Sequence, residues 1–129
     1  MEIFVNYLLA GVIFAALDAV WLVFVANRFY KSQLDSMLRP KPNFVPAVIF
    51  YLLYILGIVI FALDPALGQH SFSYALGHGA LLGLIMYATY DLTNHSTLKK
   101  WPAKVTYVDL VWGTCATAFT TVIAFLILN

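Results

Sequence analysis

Three aspartates stand where an apolar chain has least use for them. Asp91 and Asn94 fall in the stretch Tyr-Asp-Leu-Thr-Asn (Tyr90–Asn94), Asp109 opens Asp-Leu-Val-Trp-Gly, and Asp18 lies inside a long hydrophobic run. An ionised carboxylate at mid-bilayer costs about 2.5–3.5 kcal/mol on insertion scales, so such a residue faces the bundle interior and needs a partner or a task. Its two tasks of choice are to take up and release a proton or to hold a cation. Asp18 is ten residues before Arg28, about 15 Å along a helix, which puts it close to the membrane centre. Asp109 follows Lys104 by five residues and belongs near the membrane boundary. With Asp91 the three predict a ladder of carboxylates rising from that boundary, with Tyr87, Asn94 and Thr106 as hydrogen-bond partners and Trp112 lining the polar site. No lysine or arginine is deep enough to neutralise Asp18.

Metal chemistry has a weaker signal. Asp91 and His95 share one helical turn at the i, i+4 spacing of two ligands, and Asp109 could complete the set. Two ligands at this spacing recur by chance, so no metal and no other cofactor is expected. His-box iron patterns, a Gly-x-Ser-x-Gly nucleophile and a phosphate-binding glycine loop do not occur in the sequence.

The elements that must position these residues are set by composition. Of 129 residues, 63% are hydrophobic and only 10% charged, far from the balance of a soluble domain. An all-α integral membrane protein is expected, forming a single transmembrane domain. Four apolar runs are long enough to cross a core of about 30 Å, at 3–26, 44–63, 72–90 and 105–128, joined by polar loops at 27–43 and 91–104 and an outer connection between the second and third. The first run follows Glu2, lacks a basic leader and is too long for a cleaved signal, so it should stay as a spanning helix. Pro65 and Gly68 should break the chain in the outer connection, with Ser71 or Ser73 capping the third helix.

All seven basic residues fall in the loops 27–43 and 91–104. The positive-inside rule places those loops in the cytoplasm and both termini on the non-cytoplasmic side. Tyr30, Leu34, Met37 and Leu38 recur at helical spacing, which predicts an amphipathic extension of the first helix. Net charge is +1, with no basic patch that would suit nucleic acid; membrane lipids are the expected partners. Cys115 is the only cysteine, so no intrachain disulfide can form. On the third helix Ala75, Gly79 and Gly83 repeat every four residues and permit close approach of another backbone.

Four stretches carry a resemblance to a known family: Leu-Asp-Ala-Val-Trp-Leu at 17–22, the apolar segment 50–67, Tyr87–Pro102, and Asp-Leu-Val-Trp-Gly-Thr at 109–114. They resemble the bacterial membrane proteins grouped as domain of unknown function 2177. The resemblance implies a small multi-pass protein of the bacterial inner (cytoplasmic) membrane and singles out Asp18, Trp21, Tyr90, Asp91, Thr93, Asn94, Trp101, Pro102, Asp109 and Trp112. It brings no established reaction, and it sets an apolar residue where this chain has His95, which further weakens the metal reading.

Three functions compete for these residues. The first is binding or proton-linked transport of a small cationic or amphiphilic ligand, which with only four helices calls for a homodimer. The second is an intramembrane enzyme acting on a lipid, with Asp91 and Asp109 as acid and base. The third is a non-catalytic structural or partner-binding protein in which the polar residues cap helices and lock them together.

Overall fold

The computed structural model describes residues 2–129 and is built from helices, with no strand among them. Four long rods follow one another: α1 (Glu2–Met37), α2 (Phe44–Gln69), α3 (Phe72–Thr97) and α4 (Ala103–Leu128). By length and hydropathy α1, α2 and α4 are each sufficient to cross a membrane. α3, at 26 residues, matches α2 and α4 in length but carries His78, Asp91, Asn94 and His95 among its apolar residues.

Every rod outlasts the apolar run that nucleates it. α1 passes through a π-helical turn at Leu22–Ala26, resumes as α-helix over Asn27–Leu34 and closes in a 3-10 turn at Asp35–Met37. The amphipathic extension expected there is present through Met37, while Leu38 lies beyond it in extended backbone. α3 continues past Tyr90 to Thr97, so Asp91, Asn94 and His95 sit on a helix and only Leu98–Pro102 remains as connection. Nothing in Asp91–Thr97 opposes helix, whereas Pro102 disfavours the helical region for the residue before it.

Pro65 and Gly68 do not break the chain, contrary to expectation. A second π turn, Val59–Leu63, precedes Pro65, and α-helix continues from Asp64 to Gln69. The proline ring would strike the carbonyl four residues back; that carbonyl belongs to Phe61, inside the widened turn. The helix ends instead at His70, in the left-handed region with φ 49°. Ser71 N–H donates to the Ala66 carbonyl at 3.0 Å and His70 N–H to that of Leu67 at 3.2 Å, the paired bonds of a Schellman stop with histidine at the position glycine usually takes. Ser71 Oγ then accepts from Tyr74 N–H at 3.0 Å and starts α3.

The tightest seam joins α3 to α4, and α1 lies against α4 beside it. Small residues make the seam. A Cβ placed on Gly79 would meet Thr121 Oγ1 at 2.8 Å, one on Gly83 would strike the Gly113 carbonyl, and one on Gly113 would enter the Tyr87 ring. Ala10, Phe14, Ile58, Leu63, Ala75, Ala116 and Phe125 fill the core between the rods. α2 joins it through Tyr54–Ala66, while Phe44, Val45 and Leu53 face outward. Phe24 is 74% exposed and Val23 69%. Such a surface would be intolerable in water and is ordinary against lipid.

Candidate functional site: a buried acid pair

Asp91 is fully buried in the lower part of α3, and Asp109 is buried on the facing turn of α4. Their carboxyls are neighbours. The α3–α4 seam brings them together, because each lies on the face that continues from Gly83 or Gly113. Asp109 accepts a hydrogen bond from the Tyr30 hydroxyl of α1. Neither oxygen of Asp91 has a hydrogen-bond partner. All seven lysines and arginines are exposed, so no basic side chain is buried beside the pair.

Asp18 stands one level deeper, half-buried on α1 and near Trp112, Tyr54 and Tyr87. The Trp112 indole N–H is buried on the side of Asp18 without closing a hydrogen bond. The Trp112 ring stacks on Trp21, with centroids 4.5 Å apart and planes 7° from parallel. That stack joins α1 to α4 between Asp18 and the acid pair. Tyr87 covers Gly113 and meets Tyr54 edge-on at 6.1 Å, and the Tyr54 hydroxyl shares a 2.6 Å hydrogen bond with Thr117 Oγ1.

Of the residues expected at the site, Asp91 and Asp109 are neighbours across the α3–α4 seam, with Asp18, Tyr87 and Trp112 arranged above them. Asn94 does not join. It lies one turn further along α3, with its side chain toward Tyr90 and its carbonyl accepting from Leu98 N–H at 2.9 Å. His95 turns elsewhere as well: its Nδ1 shares a 3.1 Å hydrogen bond with Thr106 Oγ1, which also accepts from the Trp101 indole N–H at 3.0 Å. Thr106, expected as a partner of the acids, instead ties the α3–α4 connection together. No group of three or more His, Cys, Asp or Glu side chains among the described residues is arranged to hold a metal ion, so the trio Asp91, His95 and Asp109 is not assembled.

Tyr30 was not among the expected site residues, and Trp21 was singled out only by the family resemblance. Tyr30 reads as part of an amphipathic surface, and only the π turn brings it round to Asp109. Trp21, three residues after Asp18, was the more legible of the two, since i, i+3 neighbours share a helix face.

The chain belongs to the family described as predicted membrane proteins, DUF2177, whose model matches residues 3–126. No curated protein and no solved structure matches it.

Proposed function

We propose that the protein binds a proton or a small organic cation at Asp91 and Asp109, and that this site serves proton-linked binding or transport of a cationic or amphiphilic ligand. One observation carries the reading: Asp91 is wholly buried with both oxygens unpartnered. Two unit charges about 4 Å apart repel by about 4 kcal/mol at an effective dielectric of about 20. Beside Asp109 and away from every basic side chain, Asp91 therefore needs a positive species to balance the pair. A proton fits the closed arrangement; a larger cation would enter once Tyr30 moves off Asp109.

The topology that suits this reading has all four rods crossing the bacterial inner membrane, the basic connections in the cytoplasm and both termini outside. The acid pair then opens toward the cytoplasm, Asp18 lies nearer mid-membrane, and two copies of the chain enclose a path. A lipid-processing enzyme would need Asp91 and Asp109 to reach a headgroup, and the burial of both acids favours the binding reading over it.

The test uses the purified protein in proteoliposomes and in nanodiscs. Tetraphenylphosphonium serves as the amphiphilic cation, with binding measured by calorimetry and proton release by a pH dye. Cation binding should release protons from the wild type and not from Asp91→Asn. Binding without proton release, or equal release from both proteins, would sink the proposal. Labelling of single cysteines placed in 27–43 and 91–104 from each side of the membrane checks the topology.

A further inference from the structure

We infer that the π turn Leu22–Ala26 is a register switch that carries Tyr30 on and off the acid pair. The inference rests on the proposed role of Asp91 and Asp109, and its test is independent of that role. Asp18 and Tyr30 both face α4, Asp18 near Trp112 and Tyr30 on Asp109. They are 12 residues apart, and in an uninterrupted α-helix at about 100° per residue they would point about 120° apart. The π turn removes the conflict. Asn27 N–H donates to the Leu22 carbonyl, five residues back, so one extra residue is absorbed locally and the flanking segments keep the register of a helix one residue shorter. Eleven steps bring Asp18 and Tyr30 to within about 20° of one another.

That accommodation is reversible in principle, because the same residues can wind as α-helix. Doing so would turn the following segment by about 100° and carry it about 1.5 Å along the axis. Two observations show how little opposes the turn. Asn27–Leu34 contains no fully buried residue, and only Phe29, Tyr30, Gln33 and Leu34 are half-buried, so its rotation shifts partly packed side chains and leaves the core intact. Within the π turn only Ala26 is buried, and Leu22, Val23, Phe24 and Val25 face outward. The segment is held in its present register by the Tyr30–Asp109 hydrogen bond. In the α register Tyr30 leaves Asp109, and the pair is uncovered at the basic end of the bundle. Single π turns of this kind recur at functional sites in other helices.

The experiment places spin labels at Lys31→Cys and Lys104→Cys, both exposed in the native chain, in a Cys115→Ala background in nanodiscs, and measures their distance distribution. Tyr30→Phe should add a second distance, several ångströms from the first. Deleting Val23 from the Tyr30→Phe chain should abolish that second distance, because the extra residue is gone while the register of the π form is kept. A single unchanged distribution in Tyr30→Phe overturns the inference, as does a second distance that survives the deletion. Should Tyr30→Phe fail to fold, the Val23 deletion in the otherwise native chain decides. Modification of Asp91 and Asp109 by dicyclohexylcarbodiimide, read by mass spectrometry, should then slow several-fold; an unchanged rate overturns the switch. Loss of cation binding would not alter these distances, so failure of the functional proposal is read separately.

Discussion

The Tyr30 hydroxyl donates to Asp109 across 79 positions of sequence, fastening the exposed end of α1 to a buried acid on α4. A hydrogen bond to a charged or charge-sharing group contributes about 1.5–3 kcal/mol. Tyr30→Phe should therefore lower stability by about that amount while leaving helix content unchanged. Thermal unfolding in nanodiscs, followed by circular dichroism, measures it. Stability equal to the wild type would mean the bond contributes nothing in the membrane.

Asp91 should be costly to the fold. A carboxylate buried beside a like charge is opposed by desolvation and by repulsion, and a nearly isosteric neutral amide removes both costs. Asp91→Asn, which keeps the shape of the side chain in this tight seam, is expected to raise the unfolding midpoint and to abolish proton release on cation binding. A destabilised Asp91→Asn would show that the carboxyl has a structural partner, and would favour the helix-locking role over a binding site.

The α3–α4 seam should tolerate no added methyl. Gly113→Ala drives a Cβ into the Tyr87 ring, and overpacking of this kind costs about 1–3 kcal/mol. Gly68, helical but with nothing within 4 Å of an added Cβ, is the control; Gly68→Ala should be neutral or gain up to about 1 kcal/mol. Comparison of the two unfolding midpoints separates packing from helix propensity. Equal midpoints would contradict the close approach.

Thr106→Val removes a hydroxyl that accepts from Trp101 and bonds His95. Losing two neutral hydrogen bonds at a buried hydroxyl predicts a cost of about 1–3 kcal/mol. A red shift and loss of intensity in Trp101 fluorescence should accompany it, measured with Trp21 and Trp112 replaced by phenylalanine. An unchanged Trp101 spectrum would show that the indole is held by other contacts.

Much of this site was legible in advance. Asp18, Asp91 and Asp109 could be singled out because a carboxyl costs more in lipid than any packing it supplies, so its presence is informative wherever the chain is apolar. The small residues at Gly79 and Gly83 marked a close seam for a similar reason, since apolar helices in lipid associate through surface fit rather than hydrophobic burial. Asn94 and Thr106 misled because polar side chains near a helix end have local backbone and loop partners available, and those partners won. Pro65 misled because its usual effect assumes a regular α-helix behind it.

Membrane residence, helical class and the identity of the acids follow from the sequence by itself, because each depends on the transfer of single side chains between water and lipid. The pairing of Asp91 with Asp109, and the arrival of Tyr30, were decided only in three dimensions. Each requires a particular relative rotation of two rods, and for Tyr30 the one residue absorbed in the π turn of α1 changes that rotation by about 100°. Hydrophobic periodicity cannot report such a shift in α1, whose apolar residues surround it on nearly every side.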